Sequence, residues 1–371
     1  MKAKHLIYIV ASVSLVCVSS CTKDYTGRAV RFRGMMAPGQ SWTRTSYSGE
    51  VDDNGYERID WKVEDKVNVY LKHGERMENH VYTIEQVEES GTSKRLSMAK
   101  FASEGESGLQ WRGTDAHDLW AAYPSTATMG DHTITKTVPV EQSQTYRTKS
   151  DNIQYFDPDM SLLLMTAGLR TEPQGDLELW FYPAVTTFDF TVGAMGNTLI
   201  TKFEMETTQY NGSSTNVNLT GDAVVTYSTM SSSSQETLPA YSSGGTPGRT
   251  ITAVFDKTVQ IGVSDSDTSP KSQMNFKVFA IPATITGVRI KFYIDDGTAN
   301  GSIRYLDLRN STNVNGGAWL TFNPCVKYNI KGLLIPGAEW KITVDGPLEE
   351  EWIVHPDIQI GVPTSNQNQG N

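Results

Sequence analysis

Apolar and polar residues alternate with a period of two over most of the chain, the spacing that puts every second side chain on one face of an extended strand. In the clearest case Ile59, Trp61 and Val63 alternate with Asp60, Lys62 and Glu64, and after Asp65-Lys66 the alternation resumes as Val67, Val69 and Leu71. Tyr82, Ile84 and Val87, then Leu96, Met98 and Phe101, predict two further strands. Met77, Val81, Ile84 and Glu88 also fall at helical spacing, but the β-formers Val81, Tyr82, Thr83 and Ile84 are crowded together and favour a strand. Leu119 to Tyr123 reads as a buried strand ending at Pro124, and Ile134 to Val140 and Ser161 to Thr166 complete a first all-β unit.

The polar, turn-rich run Arg170 to Asp176 separates two apolar strands and marks a domain boundary. Beyond it Leu177, Leu179 and Phe181 alternate, and Val185, Phe188 and Phe190 open a second unit. Strands are predicted over Thr198 to Glu206, Ala223 to Tyr227, Arg249 to Asp256, Asn275 to Ile281 and Val288 to Ile294, and again around Trp319 to Phe322, Lys327 to Ile335 and Trp340 to Val344. Ser228 to Gly248, rich in Ser and Gly, reads as a long surface loop. Short strands at regular spacing with few helical stretches argue for β-sandwiches.

At the start of the chain Lys2 and Lys4 precede an apolar run from Leu6 to Val18, the pattern of a secretory signal peptide. Val18-Ser19-Ser20-Cys21 resembles a lipobox, so Cys21 is expected to carry acyl chains that tie a soluble body to the outer membrane at the cell surface. The expected organisation is a lipoprotein signal peptide (1–20), a tether and first strand (21–40), an N-terminal β-sandwich domain (41–172), a C-terminal one (173–345) and an extension (346–371). In the tether Val30, Phe32 and Met35 are the apolar positions; in the extension Ile358, Ile360 and Val362 alternate before a polar tail.

Composition narrows the partners. The formal net charge is −10, and losing Lys2 and Lys4 with the signal peptide makes it (32 − 2) − 42 = −12. No basic block offsets this, which argues against nucleic acid. Of the 3 cysteines, Cys17 leaves with the signal peptide and Cys21 is lipidated, so no disulfide framework is expected and Cys325 reads as a buried structural thiol.

The sequence does not suggest catalysis. The 6 histidines lack the close spacing of a zinc site, and there is no GxSxG elbow, GxGxxG loop, P-loop or complete EF-hand. Asp52-Asp53-Asn54-Gly55 starts like a calcium loop, but Tyr56 stands where a ligand is needed, so it reads as a hairpin turn. Asp265-Ser266-Asp267 and Asp295-Asp296-Gly297 likewise read as turns. No enzyme activity, metal or cofactor is expected. Of the 8 tryptophans, Trp61, Trp180 and Trp319 sit within alternating strands and are expected in the core, while Trp352, next to Glu349 to Glu351, reads as interfacial. An alternative function, a monomeric surface lipoprotein binding glycans through exposed aromatics, would use such residues.

The lipobox, Trp42-Thr43-Arg44-Thr45-Ser46-Tyr47, the Ile59 to Tyr70 stretch, Leu119 to Pro124, and Tyr328-Asn329-Ile330 leading to Pro336-Gly337 together resemble the fimbrillin family. These are surface lipoproteins of Gram-negative gut and oral bacteria that build type V pili or serve as anchor, stalk or tip. The resemblance implies two tandem transthyretin-like β-sandwiches and an assembly step: a cut after an early arginine removes the lipid and first strand, and a strand from the next subunit fills the groove. Arg44 matches that processing site, with Arg28, Arg31 and Arg33 as rivals; Ile358, Ile360 and Val362 match the donor strand. Implied partners are other pilus subunits and host or bacterial surface ligands. Where the family often has Gly before the Asp that follows the Trp, this chain has Glu64.

Overall fold

The computed structural model describes residues 25–36, 61–89, 97–104, 108–147, 153–208, 218–227, 239–262, 273–285, 287–297, 301–309, 320–324, 326–334 and 340–345. The first strands are β1 (Arg31–Met36), β2 (Lys66–His73), β3 (Arg76–Glu89), β4 (Ser97–Ser103), β5 (His117–Tyr123), β6 (Thr128–Gly130), β7 (Thr133–Val138), β8 (Glu141–Arg147), β9 (Ile153–Pro158), β10 (Met165–Thr171) and β11 (Asp176–Pro183). Then follow β12 (Thr186–Ala194), β13 (Thr198–Thr207), β14 (Thr220–Thr226), β15 (Ala240–Gly248), β16 (Thr250–Phe255), β17 (Val259–Ile261) and β18 (Gln273–Ala280). The last are β19 (Ala283–Ile285), β20 (Gly287–Asp295), β21 (Ser302–Arg309), β22 (Leu320–Phe322), β23 (Lys327–Leu334) and β24 (Trp340–Asp345). The fold is all-β, as the period-two pattern predicts.

Seven strands close into a barrel in the order β1-β11-β10-β5-β2-β3-β4, with β4 returning to β1. Its interior takes Val67, Val69 and Leu71 from β2, Ile84 from β3, and Leu177, Leu179 and Phe181 from β11, all buried. A four-stranded sheet, β15-β14-β7-β6, covers the outside of β5 and contributes Ile134, Val138, Ala223 and Val225 to the same core. Because β5 is covered on both faces, it reads as an unbroken apolar run: Leu119 and Ala121 face inward, while Trp120 turns outward to give its indole N–H to the Gly130 carbonyl at 3.2 Å. The Tyr227 ring lies over Gly168 of β10, and its hydroxyl meets the Thr166 hydroxyl at 2.9 Å.

An eleven-stranded sheet in the order β21-β20-β13-β16-β8-β9-β18-β12-β23-β24, with β17 beside β13, holds a second core built on Phe190, Phe203, Phe276 and Phe292. The two cores exchange strands along the chain. β8 and β9 precede residue 173 yet pair in parallel with β16 and β18, whereas β14 follows it and packs on the first core.

Three predicted segments differ in detail. Residues 61–65 form a turn rather than a strand: Lys62 donates its N–H to the Asp65 carboxylate at 2.9 Å, Asp65 donates its own N–H to the Lys62 carbonyl at 3.1 Å, and Val63 is 56% exposed. Ser161 starts within a short 3-10 turn, Met160–Leu162, capped by the Asp159 side chain, and the strand begins only at Met165. The Ser- and Gly-rich stretch predicted as loop contains β15, an exposed edge strand paired with β14, which accommodates Pro247 because its outer edge needs no donor.

Glu64 takes a left-handed φ of 77°, the conformation glycine adopts without strain. Glu64→Gly should therefore stabilise the fold by about 0.5–1 kcal/mol, read as a higher urea midpoint. A lower midpoint would mean that the extra freedom of the unfolded glycine chain outweighs the strain relieved.

Candidate functional site, the slot held by the first strand

β1 is bound on both edges. It runs parallel to β11, with Phe32 level with Leu177 and Gly34 with Leu179, and antiparallel to β4, with Gly34 opposite Ala99. Without it β4 and β11 have no common neighbour and the barrel is open. The sequence explains how it seats: Val30, Phe32 and Gly34 point inward and are buried, while Arg31 and Arg33 are exposed on the outer face. Met35 faces outward but is also buried, level with Met98 and Trp180.

The slot beneath β1 is aromatic. The Phe32 ring meets Tyr82 edge-on at 4.5 Å between centroids and Phe101 at 5.2 Å. Trp61 forms the floor, edge-on to Phe101 at 5.9 Å and to Phe181 at 5.1 Å. The Tyr82 hydroxyl accepts the Leu109 N–H at 2.9 Å; burial pushes its pKa up to about 12 against that hydrogen bond, so the phenol stays neutral. Fully burying Val30 or Phe32 contributes about 1.5–3 kcal/mol each, so β1 is held firmly although no covalent link other than the chain after Met36 joins it to the rest of the fold.

That chain carries the processing question. Cys21, Arg44, Cys325, Trp352, Ile358, Ile360 and Val362 lie outside the described residues, as do Trp42 and the Asp52 to Gly55 turn. The rival arginines are described. Arg28 precedes β1, so a cut there leaves the strand in place, while Arg31 has its backbone paired with β11 and Arg33 with both β11 and β4. Only a break between Met36 and Trp61 separates β1 from the body, and the arginines of that interval are Arg44 and Arg58. The second of these was not evident as a candidate until the topology defined the interval.

The remaining expected features are structural. Among the described residues no group of three or more His, Cys, Asp and Glu could hold a metal. Buried His117 accepts the Arg112 N–H at 3.2 Å and stacks on His73 at 4.4 Å, and burial lowers its pKa. Asp295 accepts the Gly297 N–H at 3.0 Å, as an exposed turn requires. Of the four tryptophans whose side chains are described, Trp61, Trp111 and Trp120 are buried and Trp180 is half-buried. Among the described residues no helix is long and apolar enough to cross a membrane.

No family model and no curated protein matches the chain. Solved structures do resemble it in shape. A Bacteroides ovatus protein named for cell adhesion gives a TM-score of 0.48 at 13% identity, covering 86% of this chain and 96% of its own. A Bacteroides uniformis protein, also named for cell adhesion, gives 0.43 at 15%, covering 85% and 96%. A fimbrial assembly protein of Parabacteroides distasonis gives 0.35 at 12%, covering 85% and 98%. At such scores and identities, function has to be drawn from this chain's own residues and topology.

Proposed function

We propose that the chain is a non-catalytic subunit of a cell-surface type V pilus, held at the outer membrane through lipid on Cys21 until a cut after Arg44 frees it to join its neighbours by strand exchange at the β1 slot. The observation that carries this is topological: among the described residues the first strand alone bridges β4 and β11, and it lies N-terminal to Arg44 in the sequence. A cut after Arg44 would leave residues 21–44 of the mature chain attached by non-covalent contacts only. Their departure would expose two unpaired edges and an aromatic trough, the features that β-augmentation uses: main-chain hydrogen bonds for affinity and alternate side chains for specificity. The N-terminal leader and the fimbrillin resemblance agree with this order of events. In this reading 41–172 and 173–345 are the two main units along the chain, interlocked by β8 and β9 in the second core and by β11 and β14 in the first, and Ile358, Ile360 and Val362 form the strand offered to a neighbour's slot.

The test is limited digestion of the mature chain with an arginine-specific protease, followed by mass spectrometry and electron microscopy with candidate partner pilins. Arg44→Ala should abolish release of the β1 fragment and stop assembly, while Arg58→Ala should leave both intact. Unchanged fragment release in Arg44→Ala, or a cut protein that joins no partner, would overturn the proposal.

A further inference from the structure

Accepting the slot as an exchange site, we infer that it selects its incoming strand by size at one position, taking a strand of a different chain patterned apolar-x-large apolar-x-Gly and rejecting this chain's own tail.

The slot presents three inward positions, now filled by Val30, Phe32 and Gly34. The middle one is buried, with the Phe32 ring against Tyr82 at 4.5 Å and Phe101 at 5.2 Å between centroids. The third is closed. A Cβ on Gly34 would meet Phe101 at Cε2, with Cζ at 2.6 Å, and Trp61 Cζ2 at 3.4 Å. Gly34 has no left-handed φ, so space rather than backbone conformation excludes a side chain there. Phe101 can yield only by leaving the aromatic contacts that hold it, with Phe32 at 5.2 Å, Trp61 at 5.9 Å and Phe181 at 6.4 Å.

The tail does not satisfy this rule in any register. Running as β1 runs, with Ile360 in the place of Phe32, it puts Val362 against Phe101; running the other way it puts Ile358 there. Sliding by two residues brings Ile360, Thr364 or Pro356 to the closed position, each of which has a Cβ. Sliding by one residue does align Gly361 with Gly34, but then Gln359 or Pro363 occupies the buried aromatic position. The mismatch is negative selection against self-addition, with Phe101 as the gatekeeper.

Two measurements test this. In the intact chain, Gly34→Val should lower the urea midpoint and Phe101→Ala should remove most of that effect; a Gly34→Val variant as stable as the parent overturns the inference without any exchange step. In the Arg44-cut chain, three labelled peptides are followed by fluorescence anisotropy: residues 28–36, the same peptide with Gly34→Val, and residues 356–364. The first should exchange in, the second should bind at least tenfold more weakly, and the tail should not bind, whereas Phe101→Ala should admit all three. Tail binding as tight as that of the β1 peptide sinks the inference and leaves the exchange reading standing. Failure of all three peptides, the β1 copy included, sinks both.

Discussion

Replacing Trp61 by Ala should lower the unfolding free energy by about 3–5 kcal/mol, the usual result of removing a large aromatic from a closed core. The indole is 2% exposed and packs edge-on against Phe101, Tyr123 and Phe181, with centroids at 5.9, 5.8 and 5.1 Å. These rings come from β4, β5 and β11, so one side chain ties three strands of the barrel. The loss should be larger than cavity formation alone suggests at one place in particular. Trp61 backs Gly34 and the Phe101 ring, so its removal also loosens the seat of β1. Trp61→Ala should therefore make Arg31 and Arg33 cleavable by an arginine-specific protease under conditions where the parent protein resists. Trp61→Phe, which keeps an aromatic floor, should lose less than half as much stability and keep β1 protected. Urea unfolding followed by circular dichroism, with proteolysis in parallel, gives both readouts. An Ala variant within about 1 kcal/mol of the parent would place Trp61 outside the core, contrary to its contacts.

How legible these features were in the sequence follows from which groups do the packing. The barrel strands β2 and β11 bury apolar side chains at every second position, so Val67, Val69, Leu71 and Leu177, Leu179, Phe181 could be read directly. β8 could not, because its buried positions are Gln142 and Gln144. The Gln142 amide donates to the Phe279 carbonyl at 2.7 Å and accepts the Phe279 N–H at 2.8 Å, while Gln144 donates to the Lys277 carbonyl at 2.9 Å. Those side chains act as surrogate backbone toward β18, and period-two hydrophobicity cannot register them. β15 was hidden for the opposite reason. Its pairing is made by backbone alone at a sheet edge, and its side chains bury little. The slot itself was half visible: Val30 and Phe32 stood out as apolar, but the meaning of Gly34 depends on where the Phe101 ring lies, which is a tertiary fact.

The second large effect is expected at Asp189, where Asp189→Ala should cost about 3–5 kcal/mol by leaving buried cations without their shared carboxylate. Asp189 stands on β12, a central strand of the eleven-stranded sheet, opposite Lys277 of β18, and receives Lys277 Nζ at 3.2 Å and Lys327 Nζ of β23 at 3.4 Å. Asn275 donates to its other oxygen at 2.7 Å, and Asp189, Lys277 and Lys327 are all buried. Burial pushes the carboxyl up, but the two lysines and Asn275 outweigh it and hold its pKa below the ordinary carboxylate value. The sign of the pH dependence follows. A carboxyl depressed in the folded state stabilises the protein fully above its unfolded pKa and loses that contribution as pH falls through the folded one. Urea midpoints of the parent should thus decline on acidification below about pH 4. Asp189→Asn, similar in shape but uncharged, should be less stable at neutral pH and should lack this part of the decline. Parallel pH profiles for the two proteins would refute the assignment. The same geometry fixes strand register, because a slip of two residues would set Lys277 against Thr187 or Thr191 and leave Asp189 facing Phe279 or Asn275. Asp189→Ala should therefore broaden the unfolding transition as well as lower it, since without the carboxylate no ion pair distinguishes the native pairing from shifted ones.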